Sequence, residues 1–186
     1  MLRFYFYSGV EYDQNPASIK AFSKGSSIHT EVHTMKNNSK IIKKQQNGWA
    51  GITPKTYKTE GTNFRDVRRF SLLGEGENEH ELNMQTRVFR VGAGGYSSLE
   101  YHRHPHSVMI TEGCGSMILG NELHELETGD VVFISPETLH QFHADRGVPL
   151  AFLCVVDRYR DRPSVPDQAM LDKQLGDSPA REKARL

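Results

Sequence analysis

The segment Glu100-Tyr-His102-Arg-His104-Pro-His106 sets one carboxylate and three imidazoles at alternate positions. Along a β-strand successive side chains point to opposite faces, so these four share one face. Protonated histidines crowded in this way repel one another. A divalent metal removes the conflict, because neutral imidazole and carboxylate are its ordinary ligands. A further imidazole, His140, follows Gly129-Asp-Val-Val-Phe-Ile-Ser-Pro136. With four protein ligands, an octahedral ion such as Mn, Fe, Ni or Co keeps two positions for water, dioxygen or a bidentate substrate, and Zn accepts the same donor types. Such an ion polarises a carbonyl or enolate oxygen, or activates dioxygen if it is redox-active. Beyond Glu100 and the spare His104, no general base stands out.

The elements that must position these residues read as many short strands with glycine turns. Phe64–Leu73 is a first strand, and Gln85–Val91 alternates into a turn at Gly92–Gly95. Tyr96–His106 is then the ligand strand, Val108–Ile110 leads to a turn at Glu112–Gly115, and Gly120-Asn121 suits a two-residue hairpin. Val131–Ile134 and Leu150–Val156 are continuous apolar runs, the pattern of strands covered on both faces.

The spacing also resembles a known family. Gly94, Glu100, His102, His106 and Gly113 are spaced like the first motif of the cupin superfamily, and Gly129 to His140 resembles its second motif. The likeness runs from about Thr86 to Asp157, and the chain is similar to the small, single-domain cupin-2 barrels. It implies an all-β fold, a double-stranded β-helix or jelly-roll barrel, with one metal near a mouth. The implied ligands are Glu100, His102, His106 and His140. The family order is altered: Glu100 stands where the first His is usual, and His106 where Glu is usual. Glu137 replaces the usual turn glycine and Ala144 a common asparagine. His104 is passed over by the family spacing and becomes an outer-shell residue. The rival set, His102, His104 and His140, stays open, because Pro105 lacks an N–H and can break the alternation.

The family includes dioxygenases, decarboxylases and sugar isomerases or epimerases, and also binding modules without catalysis. The resemblance therefore implies a small-molecule ligand and leaves the reaction open. It also implies a homodimer, since small barrels of this kind pair through outer strands.

Composition divides the 186 residues into a polar extension over 1–48, a barrel over 49–158 and a charged tail over 159–186. The two ends are expected to be poorly ordered, except for a helical turn or two near Gln168–Leu175. Nine Lys/Arg against two acidic residues in 36–69 precede Glu75, Glu77, Glu79 and Glu81, which reads as a solvated basic linker beside an acidic loop. With 23 basic and 23 acidic residues, the chain carries no nucleic-acid footprint. No run is apolar enough to span a membrane, and Met1–Val10 lacks the pattern of a signal peptide. Cys114 and Cys154 form no C-x-x-C pair, so reduced thiols in a cytoplasmic protein are expected. Cys114 reads as a turn thiol. His29, His33, His80 and His124 read as peripheral, and parity turns His143 away from His140.

Overall fold

The strands arise where apolar alternation gives way to glycine, and their pairing closes a barrel. The structure, a computed structural model, describes residues 39–56, 63–79 and 81–186. The expectations for His29, His33, His80 and the first 38 residues lie outside them. Short strands β1 (Lys44–Gln45), β2 (Gly48–Trp49) and β3 (Lys55–Thr56) precede β4 (Arg65–Leu73) and β5 (Met84–Tyr96). Then follow β6 (His106–Leu119), β7 (Glu122–Glu127), β8 (Val131–Ile134), β9 (His140–Ala144) and β10 (Leu150–Asp157). Both β10 and β9 pair antiparallel with β5 and with β6, which closes the circuit β5–β10–β6–β9. On the outside, β4 joins β5, β3 joins β4, and β7 and β8 join β6. This is the expected all-β barrel.

Two expected turns are instead bends inside long strands. β5 runs through Gly92–Gly95 and β6 through Glu112–Gly115, and each changes partner there. Glycine is needed for contact rather than reversal. A Cβ on Gly92 would fall 1.7 Å from Asp66 Oδ2, and one on Gly113 would fall 1.8 Å from the Pro149 carbonyl oxygen. Asp66 itself sits at a register shift of β4 with φ of 50°. Cys114 therefore lies in a strand, half-buried, not in a turn. The Gly120-Asn121 hairpin joins β6 to β7 as expected.

Inside the barrel, Val91, Val108, Ile110, Met117, Phe142, Phe152 and Val156 belong to one apolar cluster. The Phe142 and Phe152 rings stack at 4.1 Å between centroids, and Phe89 stacks on Phe152 at 5.3 Å. β10 is covered as expected. β8 is not: among the described residues it pairs only with β6, and Val131 and Phe133 are 71% and 67% exposed. The hairpin of β1 and β2 crosses the expected boundary at Gly48, where Trp49 packs edge-on against Phe70. The basic and acidic stretches pair with each other, through Lys40–Glu79, Lys55–Glu75 and Arg69–Glu75. Exposed pairs of this kind contribute roughly 0–1 kcal/mol each.

The segment after β10, read from composition as a charged tail, packs on the barrel. The Asp167 carboxylate accepts from the Met170 N–H and caps α1 (Gln168–Gln174), and Pro179 opens α2 (Pro179–Lys183). Leu171, Leu175 and Ala180 join Leu99, Ile118 and Leu139 in a second buried cluster. A few apolar side chains suffice because they meet an apolar wall, which composition alone does not reveal. Leu171→Ala is expected to lower unfolding stability by about 2–5 kcal/mol. An unchanged denaturant midpoint would show that this cluster adds nothing.

Candidate metal centre

β5 ends at Tyr96 and β6 begins at His106, so the expected ligand strand over Tyr96–His106 is not continuous. Between them run two isolated bridges, Glu100 to His140 and Tyr101 to Ser164. The alternation nevertheless survives. Glu100, His102, His104 and His106 are all buried, whereas Tyr101 is half-buried and Arg103 and Pro105 are exposed. Extended backbone keeps the two-fold side-chain period even where ladder hydrogen bonds are missing.

His102, His106 and His140 converge, with one ligand-type atom of each within 4.8 Å of the others. Their tautomers are set by what the Nδ1 atoms face. His102 Nδ1 lies 2.7 Å from the His104 carbonyl and His140 Nδ1 lies 2.9 Å from the Thr138 carbonyl. A carbonyl only accepts, so both Nδ1 atoms carry the hydrogen and both Nε2 atoms keep a free lone pair. His106 Nδ1 faces the Cys154 thiol at 3.7 Å. The Nε2 atoms of His102 and His106 are buried, and no group among the described residues bonds them. Buried ring nitrogens this close together, two of them without a partner among the described residues, fit a divalent ion. Glu100, His106, His140 and Cys154 line one cavity of about 30 Å³ floored by Phe89, Phe142 and Phe152.

The turn between β8 and β9 holds this arrangement. Glu137, where the resemblance expects glycine, has φ of 62°, a left-handed conformation that strains a residue with a Cβ. Its N–H donates to the His102 carbonyl at 2.8 Å, so the strained residue fixes the backbone of one histidine while Thr138 orients another.

His104 occupies a different position. Its Nδ1 lies 2.7 Å from Asp161 Oδ1, and its ring stacks on His102 at 3.7 Å between centroids. Asp161 also accepts from the backbone N–H groups of Arg103 and His104, at 3.0 and 3.1 Å. These bonds hold its carboxyl below the usual carboxylate range. Sequence reasoning missed Asp161, which stands among the charges after Asp157 with nothing to set it apart. It also missed Cys154, whose place on an apolar strand hides that it faces the cavity. Arg87 Nη2 donates to that thiol at 3.2 Å. His143 turns away as parity predicts and meets Tyr96 at 6.0 Å between ring centroids. His124 pairs with Glu122 on the outside of β7.

Burial and crowding hold His104, His106 and His140 below the usual histidine range. Burial pushes His106 far below the usual histidine range, and its repulsion by His140, His102 and His104 pushes it further. Burial also lowers His140, against the opposing pull of Glu100, and lowers His104. On the outer face, burial followed by Lys183 and Arg185 brings His143 down to about 4. The unfolded chain takes up these protons near pH 6.5 and the folded chain does not, so the unfolded state binds more protons as pH falls. Stability of the metal-free protein is therefore expected to drop below about pH 6.5. The share from His143 continues to about pH 4, with a slope of up to about 1.4 kcal/mol per pH unit per histidine. Denaturant midpoints measured between pH 7.5 and 5 test this, and a flat profile would contradict it.

A family model described as Cupin domain matches residues 87–156. The curated protein 1-methylthio-D-xylulose 5-phosphate methylsulfurylase of Rhodospirillum rubrum is 40% identical over 125 residues, covering 66% of this chain and 77% of that one. Among solved structures, a cupin 2 conserved barrel domain protein from Rhodopseudomonas palustris is 37% identical. It has a TM-score of 0.69 over 80% of this chain and 100% of its own. A cupin-2 domain structure from Rhodospirillum rubrum is also 37% identical, with a TM-score of 0.62 over 72% of this chain and 87% of its own.

Proposed function

The chain belongs to the cupin superfamily, and from that premise we propose that it is a metal-dependent enzyme acting on a small oxygen-bearing organic molecule. The observation that carries this reading is the convergence of three buried histidines on one another, two with Nε2 atoms that have no partner among the described residues, beside a cavity that His106 and His140 line. Glu100, His102, His106 and His140 would hold the ion. When bound, a divalent metal supplies Lewis acidity toward a carbonyl or enolate oxygen. The protein's own part is orientation. Carbonyl groups of His104 and Thr138 fix two imidazoles, and the phenylalanine floor excludes water from the cavity's apolar side.

For substrate class, we favour a phosphorylated keto-sugar bearing a thioether over the dioxygenase- and decarboxylase-like alternatives. The relative from Rhodospirillum rubrum is named for such a substrate. A ketose offers adjacent carbonyl and hydroxyl oxygens, which suit two open metal positions. The test is incubation of the metal-loaded protein with 1-methylthio-D-xylulose 5-phosphate, with and without a small thiol as acceptor, followed by phosphorus NMR. Consumption that depends on metal supports the reading. Metal-dependent binding with no consumption would make the protein a binding module.

The reading includes a cytoplasmic setting, where Cys114 and Cys154 stay free thiols, and a homodimer. Met109 pairs across from Val131 and Ser107 from Phe133, so exposed Met109, Val131 and Phe133 share an outer sheet face that a second copy can cover. A monomer mass by light scattering would remove the dimer. Among the described residues, no helix is long and apolar enough to cross a membrane.

A further inference from the structure

On the inner face of β5, residues 85, 87 and 89 stand in line, and Phe89 marks that face as the one lining the candidate metal cavity. Across the sheet, Ser71 lies opposite Arg87, and Arg69 opposite Phe89. Gln85 in turn accepts from Arg160 Nη1 at 2.7 Å. The two paired strands and the segment after β10 thus bring Arg69, Arg87 and Arg160 to one edge of the barrel. Arg87 is 7% exposed, and its Nε is buried with no partner among the described residues, as is Arg69 Nε, while the Ser71 hydroxyl bonds Glu75. Arg69 reaches a carboxylate, Glu75, at 3.1 Å. Arg87 is met by a thiol, by the face of Phe89 at 5.3 Å, and Arg160 by an amide and the Asp157 carbonyl. Neither Arg87 nor Arg160 has a carboxylate partner among the described residues. Burial lowers Arg160 below the usual arginine range, and repulsion by Arg87 and Arg69 adds to it, against the opposing pull of Cys154 and Glu75.

Guanidinium groups brought together away from water need an anion. The cluster touches the metal site directly, since Arg87 bonds Cys154, which faces His106, and Arg160 adjoins Asp161, which holds His104. We propose that Arg87 and Arg160, with Arg69 and Ser71 beside them, form the subsite that binds the phosphate of a phosphorylated substrate. This rests on the reading of the barrel as an enzyme of a phosphorylated sugar and assigns the residues that recognise the phosphate. The chemistry suits a phosphate monoester. It offers oxygens to two forked guanidinium donors and a hydroxyl, and its charge near −2 offsets the cluster.

The test is calorimetric titration of inorganic phosphate, and separately of D-xylulose 5-phosphate and unphosphorylated D-xylulose, into the full metal-loaded chain. Arg160 is half-buried at the edge, so Arg160→Met leaves the core intact; Arg87→Lys keeps a charge in the interior. Wild type is expected to prefer the phosphorylated sugar. Arg160→Met is expected to weaken phosphate and the sugar phosphate by about tenfold or more, with little change for D-xylulose. Arg160→Lys should restore part of the loss. A second cationic cavity, lined by Arg65, Arg146, Lys183 and Arg185 on the outer face, supplies the control. If R146A/K183A abolishes phosphate binding while Arg160→Met and Arg87→Lys retain it, the assignment is overturned. Equal affinity in wild type, Arg160→Met and Arg87→Lys overturns it as well. Failure of the thioether substrate to react, with phosphate binding still lost in Arg160→Met, would count against the proposed reaction and leave the phosphate subsite standing.

Discussion

His102→Ala and His140→Ala are each expected to lose bound metal, with affinity falling by more than about 100-fold, whereas His143→Ala is expected to keep it. Substituting a residue that only orients a ligand typically costs 10- to 100-fold, so removing a ligand should exceed that range. The structural reason lies in the Nδ1 contacts. Backbone carbonyls hold the Nδ1 hydrogens of His102 and His140, so each ring presents Nε2 and no other nitrogen. His143 lies on the opposite face of β9 beside Tyr96, and its removal takes nothing from the cavity. Elemental analysis of protein purified in parallel gives the first readout. A second readout separates lost binding from lost fold. Metal that binds only the native state raises its stability, by about 2.7 kcal/mol at 100 times its dissociation constant. Added metal should stabilise wild type and His143→Ala and leave His102→Ala and His140→Ala unmoved. Equal metal content in His102→Ala and wild type would sink the assignment.

Part of this site is visible in the sequence because its information is local. Glu100, His102 and His106 lie within seven residues, and an extended chain turns alternate side chains the same way whether or not it is paired in a sheet. The burial of all four alternate positions from 100 to 106 follows from that one property. The barrel is visible too, because apolar runs and glycines are spaced at strand intervals. What glycine does there is not visible. At Gly92 and Gly113 the same residue that would permit a turn permits a close approach, and only the partner strand decides which. Contributions from distant sequence are hidden for a similar reason. Asp161 looks like any acid in a charged stretch until Tyr101 and Ser164 pair and bring it under His104. Leu171 and Leu175 look too sparse to order a tail until Leu99, Ile118 and Leu139 supply the other half of their cluster. Arg69, Arg87 and Arg160 are unremarkable along the chain and become a charge cluster only through strand register.

The choice between Glu100 and His104 as the remaining ligand is expected to resolve in favour of Glu100. Glu100→Gln keeps the shape of the side chain and removes its charge, and metal affinity should fall by more than about 100-fold; His104→Gln should cost about 10- to 100-fold. The two residues differ in what they are engaged with. Glu100 lines the cavity together with His106 and His140, and its backbone exchanges hydrogen bonds with that of His140 at 3.1 and 3.0 Å, so it is fixed beside that histidine. His104 points one nitrogen at Asp161 and lays its ring face against His102. With Nδ1 held by Asp161, His104 is well placed to hold the orientation of the His102 ring it stacks on. Charge argues the same way. Three neutral imidazoles leave the full positive charge of a divalent ion in a buried cavity, and a carboxylate offsets part of it. Asp161→Asn supplies the internal check. If His104 acts by orienting His102, Asp161→Asn should reproduce the modest loss of His104→Gln, and the two changes combined should cost little more than either alone. If His104 were itself the ligand, His104→Gln would lose the metal outright while Glu100→Gln bound nearly as tightly as wild type. A competitive titration of wild type and the three variants against a chromophoric chelator distinguishes these orders directly.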